Sequence, residues 1–195
     1  VYAKDNHQIS AFIIKKTDKG VIFTDNPQVE GFKTAPIGDV ILDECFIPRD
    51  RLLGRIGAGM VIIQSALTYE RAFLFAGLLG IMKYQLNKVI NYTRSRKING
   101  EPLAKSQSIS HKIADMSIRL ETTQLWIYHC AKLVDQHKKI TFQSSCAKIY
   151  ASESFLQSSL DTIHIMGAKG LEPLQGLSQF VIDAIAGRLL SGSTE

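Results

Sequence analysis

The stretch Met60–Asn91, MVIIQSALTYERAFLFAGLLGIMKYQLNKVIN, decides the fold of this chain. It is long and apolar, with neither the strict alternation of a strand nor an internal proline, so it reads as helix. Two further stretches carry apolar residues at alternating three- and four-residue steps. Ser106–Gln136 places Ile109, Ile113, Met116, Leu120, Ile127 and Val134 on one stripe, and Thr141–Met166 does the same with Phe142, Cys146, Ile149, Leu156, Leu160 and Ile163. The joints are short and turn-like: Asn99-Gly100-Glu101-Pro102, Asp135–Lys139 and Gly167–Gly170. Short connections between long amphipathic helices predict antiparallel neighbours, hence a bundle. A shorter helix is expected near Leu177–Ala186.

Upstream the period changes to two. Gln8–Lys16, Val21–Thr24 and Val40–Ile47 read as strands, with Asp25-Asn26-Pro27 as a breaker and Val40, Leu42, Cys45 and Ile47 offering one face of the last. Three or four short strands make a poor independent sheet, because their edges and faces need cover. The chain therefore reads as part of a β domain, residues 1–53, followed by a helical domain, residues 54–195.

Composition narrows the function classes. The 195 residues are 45% hydrophobic and 21% charged, which excludes wholesale disorder. A net charge of +5 is too small and scattered to argue for nucleic acid. Three separated cysteines, Cys45, Cys130 and Cys146, form no CxxC pair and point to a reducing cytoplasm. No apolar run approaches a membrane span, and no signal peptide is visible. The five histidines show no ligand spacing, so no metal is expected.

Glu70 is the residue most able to carry chemistry. A carboxylate among the apolar residues of Ser65–Leu79 must pair, protonate or face a cavity. It is either a helix-surface glutamate paired with Arg71 or a partner helix, or a general base in a dry pocket. The glycines Gly54, Gly57 and Gly59 lack the Lys-Ser/Thr of a phosphate loop and read as a flexible connector. Arg94, Arg96 and Lys97 complement a helix C-terminus or hold a phosphate. Trp126 reads as core or bundle interface.

The order of several stretches resembles the second half of the acyl-CoA dehydrogenase superfamily. They are ISAFIIKK, DVILDECFIPRDRLLGRIGAGM, ERAFLFAGLLG, YTRSRKINGEPLAKSQSISHKIADM, AKIYASES, DTIHIMGAKGL and GRLLSGSTE. The resemblance implies an α+β fragment of a larger subunit: the end of a β-barrel-like middle domain, then an antiparallel four-helix bundle. It implies FAD bound at a subunit interface of a homotetramer, and oxidation of the Cα–Cβ bond of a thioester. Most members carry the base just before a Gly-Thr-Ser, where this chain has Ser191-Gly192-Ser193. The isovaleryl-type branch carries it on the long helix in a Glu-Arg context, matched by Glu70-Arg71. The resemblance thus makes Glu70 the catalytic base and places Thr68, Arg71, Ser191 and Gly192 at the substrate, with the Ser191 N–H polarising the thioester carbonyl. It assigns Arg96, Gln107, His164, Gly167, Ala168 and Ser193 to FAD, Arg96 reaching the diphosphate of a neighbouring subunit's cofactor.

Three departures, Asn99 for an aromatic, Thr68 for an aspartate and Ile185 for a basic residue, imply a substrate other than an ordinary fatty acyl-CoA. The looser motifs look most like dehydrogenases of prolyl or similar aminoacyl groups on a carrier protein in secondary metabolism. The alternatives are a short- or branched-chain acyl-CoA dehydrogenase and a flavin monooxygenase of the same fold. The electron acceptor is then a flavoprotein or oxygen, and the net positive charge suits an acidic carrier.

Overall fold

A computed structural model describes residues 1–5, 7–24 and 29–194, so the expected breaker Asp25-Asn26-Pro27 lies outside the described residues. Contacts divide the chain into two units, Val1–Leu67 and 68–195. The change from strand to helix comes earlier, so the first helix begins in one unit and ends in the other.

In the first unit β1 (Tyr2–Asp5) and β2 (Gln8–Phe12) pair antiparallel, with Tyr2 opposite Ala11 and Asp5 opposite Gln8. A separate antiparallel ribbon joins β3 (Val21–Phe23) to β4 (Val40–Leu42). The expected run 40–47 is a strand only as far as Leu42, because Glu44 turns left-handed at φ 45° and leaves the extended region. Val40, Ile41 and Leu42 are all exposed rather than split between two faces, since among the described residues the ribbon has only two strands. After a 3₁₀ turn at Arg49–Arg51, β5 (Leu52–Leu53) completes a three-stranded sheet by pairing with β2. The Asp18 carboxylate accepts from the Lys15 backbone N–H at 2.7 Å and pairs with Arg51 at 2.5 Å, tying the turn after β2 to the segment that enters β5.

The glycines that follow are held, not flexible. The Gly57 N–H donates to Ser10 Oγ at 3.0 Å with the backbone at φ 80°. A Cβ on Gly59 would lie 2.7 Å from the Ile9 carbonyl oxygen. Glycine is required at both, once for a positive φ and once for the approach of helix to strand.

The long helix expected over 60–91 is broken. It forms α1 (Gly59–Phe73), a 3₁₀ turn at Leu74–Gly77 and α2 (Leu78–Ser95). Gly77 and Gly80 weaken the helix here, and Phe73 departs from helical angles at φ −122°. A two-residue hairpin follows, β6 (Lys97–Ile98) against β7 (Glu101–Pro102). Asn99 and Gly100 both take positive φ, the turn that an Asn-Gly pair favours. Then come α3 (Gln107–Asp135), α4 (Thr141–Met166) and α5 (Leu177–Leu189), the last three residues longer than expected.

Side-chain ties give the helix directions in the second unit. Tyr92 near the end of α2 donates to the Met166 carbonyl at the end of α4. Lys112 and Arg119 in the first half of α3 reach Asp161 in the second half of α4. Arg188 at the end of α5 reaches Glu153 in the first half of α4. Hence α2 and α4 run parallel, and α3 and α5 antiparallel to them. Val89, Met116 and Ile165 form the core toward one end, with Ala72, Cys130, Ile140 and Ala147 toward the other. Trp126 packs partly buried on that second cluster, as a bundle-interface residue should.

Candidate active site

Glu70 sits in the last turn of α1, beside the Ala72–Cys130 end of the bundle. The chain returns there after α5. Lys148 Nζ donates to the Arg188 carbonyl at 2.9 Å and Arg188 pairs with Glu153 at 2.5 Å, so the exit of α5 is fastened to α4. Three residues later Ser191 donates its hydroxyl to Glu70 Oε1 at 2.7 Å. Arg71 Nε donates to the Ser191 carbonyl oxygen at 3.0 Å. Residues 120 and 121 positions apart in sequence therefore meet in a four-residue arrangement of Glu70, Arg71, Ser191 and Gly192.

Within this chain Glu70 is exposed rather than buried in a dry pocket. The reason is geometric: it lies at the end of a bundle, on a helix face that the chain's own elements leave open. Among the described residues its side chain pairs with neither Arg71 nor a second helix but with the hydroxyl of Ser191, while Arg71 binds the Ser191 backbone. Ser191 itself stands at φ 57° and Gly192 at φ 95°. Thr68, half-buried, lies about half a turn before Glu70 on α1. Ser193 follows on the same exposed tail.

The other candidates gather at the opposite end. Arg96 follows α2, and Gln107 opens α3. His164 is in the last turn of α4, with Gly167 and Ala168 just past it. The Tyr92–Met166 tie brings these termini together. Arg96, Gln107, His164, Gly167 and Ala168 are all exposed, and Gly167 stands at φ 61°. A guanidinium, an amide, an imidazole and a helix N-terminus form a donor set suited to a diphosphate. About 27 Å of helix, the 18 residues of α2 at 1.5 Å each, separates this end from Glu70.

Several charged groups escaped the sequence reading. Asp161 is buried and holds Lys112 at 2.9 Å and Arg119 at 2.5 Å, and it fell between the apolar positions of the α4 stripe. The hydroxyl of Ser191 went unread because the sequence recommended only its backbone. Among the described residues no group of His, Cys, Asp and Glu could hold a metal ion, and no helix is long and apolar enough to cross a membrane.

The family model described as acyl-CoA dehydrogenase, C-terminal domain, matches residues 57–195. An L-prolyl-[peptidyl-carrier protein] dehydrogenase of Pseudomonas fluorescens is 32% identical over 187 residues, covering 96% of this chain and 49% of that protein. The mouse mitochondrial short-chain specific acyl-CoA dehydrogenase is 30% identical over 193 residues, 99% of this chain and 47% of that enzyme. Among solved structures, the prolyl acyl carrier protein oxidase AnaB superposes with a TM-score of 0.93 at 31% identity, over 95% of this chain and 49% of the other. PigA with FAD and proline gives 0.95 at 27%, over 99% and 52%. The chain spans about half the length of the curated relatives it matches. A match over the whole helical part places this chain in the acyl-CoA dehydrogenase family.

Proposed function

We propose that this chain is the C-terminal part of an FAD-dependent dehydrogenase that oxidises the Cα–Cβ bond of a carrier-bound aminoacyl thioester, prolyl foremost. The observation that carries this reading is the 2.7 Å contact between Glu70 and Ser191, a carboxylate on α1 meeting a serine at the tail position where most of the family has its base. In this reading Glu70 removes the α-proton. Bound FAD would supply the acceptor for the β-hydride. The Ser191 N–H and Gly192 face the thioester carbonyl, and Thr68 lies beside the arm that carries it. The prolyl preference is supported by the Pseudomonas relative and by AnaB and PigA.

Arg96, Gln107, His164, Gly167 and Ala168 fit the diphosphate half of the cofactor, with Ser193 contacting FAD from the other end. An end-to-end distance of about 27 Å is longer than the reach from a flavin ring to its own diphosphate. The two ends of one chain then serve two flavins, which requires a homo-oligomer, a tetramer by resemblance. Large apolar side chains left exposed on the bundle, Leu125, Tyr128 and Phe142 among them, are consistent with such assembly. The two small sheets are then the end of a β-barrel-like middle domain over residues 1–53, with the helical domain over 54–195. The reaction takes place in the cytoplasm, and the electrons leave to a flavoprotein or to oxygen.

A second reading, a short-chain acyl-CoA dehydrogenase, draws on the mouse relative. Anaerobic titration of the full-length yellow protein decides between them. Prolyl thioester on a carrier protein should bleach the flavin while butyryl-CoA does not. Bleaching by butyryl-CoA alone selects the second reading, and bleaching by neither rejects both.

A further inference from the structure

We propose that the Ser191 side chain is a positioning residue for the base, and that Arg71 holds Ser191 in the conformation that lets it act. The proposal rests on the reading of Glu70 as the α-proton acceptor. Ser191 Oγ donates to Glu70 Oε1 at 2.7 Å, the usual length of a hydrogen bond from a hydroxyl to an oxygen acceptor. Among the described residues Oε2 carries no hydrogen bond, so one oxygen is anchored and the other is left to take the proton. A glutamate at an exposed helix end otherwise samples several rotamers, and a base that must meet one α-carbon loses rate with each of them.

The backbone at Ser191 shows how the anchor is kept. A φ of 57° is a left-handed conformation that a non-glycine residue adopts at a cost, and such a residue persists only where its surroundings fix it. Arg71 supplies the fixing. Its Nε binds the Ser191 carbonyl at 3.0 Å, and its Nη2 lies 3.5 Å from the place a Cβ on Gly192 would occupy. Glu70 and Arg71 are consecutive, so one turn of α1 carries both the base and the clamp on the base's anchor. The clamp also fixes the direction of the Gly192 N–H, which shares a peptide plane with the Ser191 carbonyl. Arg71 thereby acts on the tail rather than on the substrate.

The test uses the full-length holoenzyme, with anaerobic rapid mixing against its bleaching thioester. Ser191→Ala should lower the rate of flavin reduction about tenfold, the equivalent of ~1.4 kcal/mol in the barrier, with thioester affinity unchanged. Ser191→Gly relieves the backbone yet lacks the hydroxyl, and should fall as far. Arg71→Met should slow reduction too and, unlike Ser191→Ala, should speed hydrogen exchange of the backbone amides of residues 190–194. Wild-type rates in Ser191→Ala and Ser191→Gly, or a loss of affinity in place of rate, overturn the proposal. Glu70→Gln keeps the two readings apart. If it reduces flavin at the wild-type rate, the base assignment itself fails. If it is inactive while both Ser191 variants are unimpaired, the base stands and the anchor does not.

Discussion

Glu70 stood out as a candidate because a lone carboxylate in an apolar helix demands an explanation. Its hydrogen-bond partner did not, because no local pattern links positions 121 apart. Glu70 is exposed within this chain, and whether a pocket encloses it depends on what else covers the end of the bundle, which helical periodicity does not describe. Asp18 shows the same limit in the β unit. The Arg51 guanidinium and the Lys15 backbone N–H hold its carboxyl below the ordinary carboxylate range, and Arg51 lies 33 positions away. With the folded value depressed, the stabilisation is present above the unfolded value and is lost as pH falls through the lowered one. Asp18→Asn should therefore be less stable than wild type at neutral pH, and the gap should close on acidification through the carboxylate range. Urea midpoints across a pH series check this, and a gap that stays constant contradicts it.

Among elements, the limits of α3 and α4 were readable almost to the residue from the turn residues that bound them. The stripe read on α4 is not its core face: Phe142 and Ile149 are exposed, and Ala147, Ala151 and Phe155 are buried in their place. The α1–α2 break was not readable, because Gly77 and Gly80 sit in an apolar run whose pattern continues across them. The small Asn99-Gly100 hairpin explains one departure from the family pattern on local grounds. Two consecutive positive-φ positions suit Asn-Gly, and an aromatic residue at 99 would be strained there. The buried ions of α3 and α4 give the element-scale prediction. Asp161→Ala would leave Arg119 and Lys112 without their shared partner. Removing one member of a buried pair costs about 3–5 kcal/mol. The low end of that range applies, because the Lys112 side chain is 42% exposed and keeps much of its solvation. A fall in the urea midpoint of the full-length protein with no change in far-UV signal at low urea is expected. An unchanged midpoint would show that the ions contribute nothing to the α3–α4 packing.

For the whole molecule, the helical domain and the direction of its helices were legible, and the meaning of its two ends was not. Sequence order mixes Glu70, Arg96, Gln107, Gly167 and Ser191, whereas the fold sorts Glu70 and Ser191 to one end and the rest but Ser193 to the other. If the basic end serves a neighbour's cofactor, Arg96→Ala should lower retained FAD several-fold while leaving the thermal unfolding of the cofactor-free protein unchanged. Full FAD content in the purified variant would contradict that role.

The most direct test of the central claim compares wild type with Glu70→Gln, both fully loaded with FAD, mixed without oxygen against carrier-bound prolyl thioester. Glutamine keeps the shape and cannot accept the α-proton. The account predicts rapid loss of the visible flavin absorbance in the wild type and a variant that stays yellow with the thioester bound. Equal bleaching of both proteins would contradict it.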